Sequence, residues 1–268
     1  MKAKRLVILV LLFALFVVPP ATLILYAVSG VWRYPEVVPE TYSLRALEYL
    51  WSLRTTLMEG IGVSLLYAFT TVAVTFGMTV MPASFLARRR FRGQHLVESL
   101  LLAPALVPSI TFSVGLQVVF LYVGLVDTFA GVVLVLSIFS YPYMLRALIA
   151  GFEVYGEEYT VCAANLGAGP LRTLLSVEIP LLVPSLVSGG TVVFLVAFSE
   201  YFLVFLIGGG AVPSITGTMF PFLSSSDRQI ASALTLLFMM VPLVLFFLID
   251  ATVRRVYRRT GMLTEHVA

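Results

Sequence analysis

A carboxylate inside an apolar run is the first residue of this sequence that could do chemistry. Glu200 stands in Ala197-Phe198-Ser199-Glu200-Tyr201-Phe202, with long aliphatic and aromatic stretches on either side. A carboxylate at membrane depth is costly, about 2.5–3.5 kcal/mol for Asp at a helix centre on the insertion scale, so it must face protein or water. It is then either a hydrogen-bonded structural group or, with Ser199 and Tyr201, a wall of a solute path favouring a cationic or polyhydroxylated solute. Other reactive side chains are few. His95 and His266 are the two histidines, and no His, Asp and Glu cluster has metal-ligand spacing. Cys162 is the single cysteine, which excludes an internal disulfide and a cysteine-based metal site. No Gly-x-x-x-x-Gly-Lys-Ser/Thr loop is present to cradle a nucleotide, and no histidine is placed to serve a Ser–His–acid triad. Catalysis, a bound cofactor and a metal are therefore not expected of this chain.

The elements that must position Glu200 are membrane spans. Of 268 residues, 60% are hydrophobic and 12% charged, with a mean hydropathy of +1.02. Soluble domains sit nearer half apolar and a quarter charged. About 20 apolar residues cross the hydrocarbon core. On that measure the sequence predicts six spans, over residues 6–28, 56–86, 96–122, 128–150, 185–207 and 229–253. The first is too long for the apolar core of a secretory signal and is read as a retained span, kinked at Pro19-Pro20. Pro104 and Pro108 should disturb the third, and Gly208-Gly209-Gly210 should break the fifth. Residues 30–56 carry Trp32, Tyr34, Tyr42, Tyr49 and Trp51, as suits an interfacial segment, and Leu44, Leu47 and Trp51 recur at helical spacing.

Charge orients these spans. With both termini inside, thirteen of the seventeen Lys and Arg residues lie on the inner side, including Arg88, Arg89, Arg90 and Arg92; Arg33, Arg45, Arg54 and Arg228 lie outside. The inverted arrangement violates the positive-inside rule. The basic residues thus follow topology, and the net charge of +3 does not mark a nucleic-acid binder. An all-α integral membrane protein follows, organised as a first span with its outer loop (1–56), a core of five spans (57–253) and a cytoplasmic tail (254–268).

Between the fourth and fifth spans, residues 161–184 are too rich in small residues and too punctuated to cross a bilayer. Glu157 and Glu158 lead a helix that reaches about Leu166, as a helix N-terminus prefers. Gly167 and Gly169 interrupt it, and Pro170 is placed to start a second short helix over 171–177. Pro180 and Pro184 are expected to end that helix. Physically this is a compact helix–turn–helix on the cytoplasmic side.

This stretch resembles the EAA loop of permease subunits in binding-protein-dependent ABC importers. In that family Glu-Ala-Ala is followed after three residues by Gly, and nine residues later by Ile-x-Leu-Pro. Ala163 matches the second Ala, Gly167 the Gly, and Val177, Ile179 and Pro180 the closing element, whereas Val161 and Cys162 stand where the family has Glu and Ala. The resemblance implies a type I importer permease fold and a loop, over 157–180, that docks into a groove of a separate ATPase subunit. It also implies two such ATPases holding ATP and Mg, a second permease that is homologous rather than identical, an extracytoplasmic solute-binding protein, and residence in the cytoplasmic membrane of a prokaryote. Ala164 to Ala168 and the 198–202 segment look most like the polyamine branch, although Ala197 and Ser199 depart from its Ser-Phe-Asp-Glu-Phe. Ferric iron, thiamine, phosphonate or sugar permeases of the same family are the alternatives. A stand-alone secondary transporter or channel should show paired repeats and several midplane charges, and neither is seen.

Overall fold

The structure is a computed structural model and describes residues 2–33 and 35–259. Tyr34, His266 and the part of the expected tail beyond residue 259 lie outside the described residues. Among the described residues twelve α-helices follow in order: α1 Lys2–Val28, α2 Arg45–Ser52, α3 Arg54–Arg88, α4 Gln94–Leu102, α5 Ser109–Tyr122, α6 Phe129–Tyr155, α7 Glu158–Asn165, α8 Pro170–Thr173, α9 Ile179–Ser199, α10 Phe202–Gly208, α11 Ile215–Leu223 and α12 Arg228–Arg259. No strand is present among the described residues beyond one isolated bridge between Ser29 and Tyr42. The chain is an all-α membrane protein. Among the described residues five helical stretches are long and apolar enough to span, and the bent pair α4–α5 makes a sixth if its two halves together form one span.

Two compact units divide the chain, residues 59–217 and residues 1–58 with 218–268. In the second of these, α1 and α2 pack against α12. Arg45 donates to both carboxylate oxygens of Asp227, at 2.8 and 2.7 Å, and to Gln229 Oε1 at 3.1 Å. Most of α1 leaves its apolar side chains exposed, as in Leu11 and Phe16, the behaviour of a helix whose partner is lipid. A helix is present where one was expected around Leu44, Leu47 and Trp51, as α2, and all three side chains are exposed.

The unit of residues 59–217 holds the candidate sites. Its centre is α6, whose mid-helix residues Met144, Leu145 and Leu148 are buried against Ala83 and Leu86 of α3 and Leu182 and Val193 of α9. Close approach of α6 and α9 depends on a missing side chain: a Cβ on Gly189 would stand 2.7 Å from Ala147 Cβ. Small residues at such crossings let membrane helices pack by dispersion where no hydrophobic effect drives them together.

Three span boundaries differ from the sequence expectation. The third span is not one helix: α4 ends in a 3-10 turn over Ala103–Leu106, and α5 leaves it at 96°. Val107, held before Pro108, is extended at ψ 130°, as a residue before proline prefers. Pro180 and Pro184 do not end a helix. The chain instead runs helically from Pro170 to Ser199 through one π-turn, Leu174–Glu178, in which the Ile179 N–H reaches back to Leu174 O. That wider turn relaxes the i−4 register where Pro180 has no N–H to give and where its ring would press on the carbonyl of Ser176. The fifth span breaks at Glu200, well before the glycines at 208–210.

Candidate coupling loop and helix break

Local rules build the loop between α6 and α9. Helix α7 closes in a Schellman motif: the Gly167 N–H bonds Ala164 O at 2.9 Å and the Ala168 N–H bonds Ala163 O at 3.0 Å. Gly167 takes φ +81°, a left-handed conformation that costs a residue with a Cβ about 1–2 kcal/mol. Gly169 is extended, and Pro170 opens α8 at its first position, where a missing N–H loses nothing.

The sequence-predicted residues fall on two faces of this turn. Ala163 is buried, as is Thr173 of α8 outside the predicted set. Val161, Cys162 and Gly167 are exposed, together with the apolar Leu166 (84%), Leu171 (68%) and Leu175 (57%). Pro170 and Pro180 are exposed, and Val177 and Ile179 are half-buried. Glu157 and Glu158, one turn before Val161, are exposed as well. A groove of about 810 Å³ runs between this loop and the end of α3, with Ser84, Arg89, Glu157 and Val161 on its walls.

Three residues here were not legible as a site. Arg88 Nη1 donates to Glu178 Oε1 at 2.8 Å and to Ser84 Oγ at 3.1 Å. Arg88 Nη2 donates to Thr160 Oγ1 at 3.0 Å, and the Thr160 hydroxyl donates in turn to Glu178 Oε1 at 3.1 Å. The guanidinium lies 4.9 Å over the Phe152 ring. Both charged side chains are largely withdrawn from solvent, at 14% and 11% exposure. In the sequence Arg88 belongs to a basic run that reads as a topology signal, and Glu178 is the unassigned position between Val177 and Ile179. Their separation of 90 residues leaves no local pattern to find.

Glu200, Ser199 and Tyr201 lie at the other end of α9, roughly 30 Å from the loop at 1.5 Å rise per residue over its 21 residues. Glu200 turns the backbone out of the helix at ψ 120°. Its carboxylate accepts from the Leu203 N–H at 3.2 Å, capping α10, and its carbonyl accepts from the Thr216 hydroxyl at 3.3 Å. Ser199 Oγ donates back to Leu195 O, and Tyr201 stacks on Phe205. Thr216 and Ser214 share a hydrogen bond, and Ser64, which accepts from both the Tyr67 hydroxyl and the Ile215 N–H, completes the buried polar surroundings. The carboxylate that sequence marks as a possible path wall thus has a backbone partner of its own.

Residues 79–261 match the family described as binding-protein-dependent transport system inner membrane component. The molybdate/tungstate transport system permease protein WtpB of Pyrococcus abyssi is 27% identical over 170 residues, covering 62% of this chain and 68% of that protein. The spermidine/putrescine transport system permease protein PotC of Haemophilus influenzae is 23% identical over 189 residues, covering 70% and 72%. In fold, the chain is similar to the crystal structure of a bacterial ABC transporter involved in the import of the acidic polysaccharide alginate, with a TM-score of 0.70 at 15% identity over 93% of this chain and 95% of that one. The spans, the glycine-closed loop and these likenesses agree: the chain belongs to the inner membrane components of binding-protein-dependent transport systems, the permease subunits of ABC importers.

Proposed function

We infer that residues 157–180 of this permease dock on a separate ATPase subunit, and that hydrolysis there drives a solute past the spans. The observation that carries this reading is the pairing of exposed apolar side chains, Val161, Leu166 and Leu171, with a turn that is closed by backbone hydrogen bonds and continuous with α9. An exposed apolar surface on a rigid element is what a partner groove requires. The complete system would comprise two ATPases with their ATP and Mg, a second homologous permease and an extracytoplasmic binding protein. This chain would hold no nucleotide, and it would lie in the cytoplasmic membrane of a prokaryote with both ends inside.

Two solute classes each have an observation in their favour. A tetrahedral oxyanion is favoured by the molybdate/tungstate relative. A polyamine is favoured by the spermidine/putrescine relative and by Glu200 with Ser199 and Tyr201. The engagement of the Glu200 carboxylate with the Leu203 N–H weakens the charge-based ground for the polyamine, and the oxyanion is the first reading. Purification from native membranes tests the whole: a co-purifying subunit with a Gly-x-x-x-x-Gly-Lys-Ser/Thr loop supports the importer. Uptake into liposomes by the purified chain alone would contradict it. The solute follows from native mass spectrometry of the co-purified binding protein, an oxyanion or a polyamine deciding between the two classes. Cysteines at Ser43, Ser225 and Gln94 in a Cys162→Ser background test the orientation. An impermeant thiol reagent on intact cells should label the first two only.

A further inference from the structure

A loop docked on a motor moves only those spans to which it is stiffly joined. Along the chain, residues 157–180 are joined to α6 and α9 alone. The Arg88–Thr160–Glu178 cluster adds a joint that the chain order does not provide, because it bonds the end of α3 to α7 and to the π-turn at once. Its members are directional. Arg88 spreads two nitrogens over three acceptors, and Phe152 of α6 supports the guanidinium face. Such a pair contributes little net stability compared with apolar residues of the same volume, and apolar packing by Leu86, Phe152 and Leu182 lies directly alongside. Arg88 Nε is also buried with no hydrogen-bond acceptor among the described residues. Geometry, more than stability, accounts for a charged pair at this point. Glu178 closes the π-turn, the one irregular turn between the loop and α9, and such turns concentrate at functional sites.

We propose that Arg88, Thr160 and Glu178 form a rigid joint that makes α3 move with the loop and α9 during the transport cycle. Arg88 and Glu178 act as positioning residues: they touch neither solute nor nucleotide and work through the elements they hold. This proposal rests on the reading that the loop docks on an ATPase, and the experiment separates the two. In the complete complex reconstituted in liposomes, Glu178→Gln and the milder Thr160→Val are compared with the parent for complex recovery, ATPase rate and solute taken up per ATP. The expected result for Glu178→Gln is normal recovery and ATPase rate, with uptake per ATP lowered about tenfold, the size of one lost charge-assisted contact. The double exchange Arg88→Glu with Glu178→Arg should restore most of that loss, which a merely structural role would not require. Spin labels on cysteines replacing the exposed Met81 of α3 and Leu171, in the Cys162→Ser background, should keep one distance through the ATP cycle in the parent and spread in Thr160→Val. A parent distance that changes on ATP binding would overturn the joint. So would unchanged uptake per ATP in both single variants. Failure of any ATPase to co-purify with the parent would instead overturn the docking reading beneath it.

Discussion

The two ends of α9 are interrupted in opposite ways. At its start, two prolines and a π-turn leave the helix continuous from Pro170, and an ion pair with Arg88 braces it. At its finish no proline or glycine intervenes, yet the helix stops at Ser199 and restarts at Phe202, with Glu200 capping the new turn through its own carboxylate. A proline breaks a helix only where the freed carbonyl finds no other arrangement, and the π-turn supplies one. A polar side chain breaks a helix when it offers the backbone a competing hydrogen bond, as Asp and Ser do at caps. The braced end is suited to transmitting force. The capped end is held by hydrogen bonds of modest strength, which suits a place where the span bends.

Substitutions at the two ends of α9 should therefore differ in their effects. The largest effect is expected for Glu178→Ala at the braced end, which leaves Arg88 largely buried without its partner. Stability should fall by about 3 kcal/mol, the lower end for a broken buried pair, read as a drop in thermal unfolding of the detergent-solubilised complex. Gly167→Leu comes next. Nothing lies within 4 Å of where its Cβ would go, so its effect is conformational, about 1–2 kcal/mol of left-handed strain. ATPase binding should weaken about tenfold or more while span insertion stays normal. Gly167→Asn should cost less, because Asn tolerates that conformation.

The capped end should respond more weakly. Glu200→Ala removes the acceptor for the Leu203 N–H and should cost about 1 kcal/mol, as cap removal does. Glu200→Gln keeps an oxygen there and should transport within a few-fold of the parent. Equal loss in both variants would mean that the charge itself lines the solute path. Pro180→Ala should have the smallest effect, within about 0.5 kcal/mol, since the helix already passes through that position. A large change in unfolding temperature for this variant would show that the proline shapes the π-turn.

Sequence rules that depend on near neighbours were readable in advance. The first, second, fourth and sixth spans followed from apolar length because the bilayer imposes it, and α7, its glycine closure at Gly167 and the proline start at Pro170 followed from the backbone preferences of those residues. What was not readable depended on partners distant in the chain or on how a local defect is resolved. Whether Pro180 ends a helix depends on the turn before it. The 96° bend after α4 falls in the segment of Pro104 and Pro108, and the Tyr141 hydroxyl of α6, far along the chain, donates to Leu101 O beside it. Arg88 and Glu178 meet only once α3 and α9 are packed on α6. Glu200 stands out in the sequence as a carboxylate in an apolar run, but its partner, the Leu203 N–H, is a backbone group that the residue types do not reveal.

Contact between residues 157–180 and the ATPase can be probed through the chain's single cysteine. Cys162 is exposed in the middle of the loop, on the same turn as Val161 and Leu166. A photoactivatable maleimide attached to this native thiol in the assembled transporter, then irradiated, reports what lies against it. The expected product is a crosslink to a subunit whose peptides include a nucleotide-binding Gly-x-x-x-x-Gly-Lys-Ser/Thr loop. Crosslinks confined to lipid or to another permease, in a complex that retains its ATPase, would contradict it.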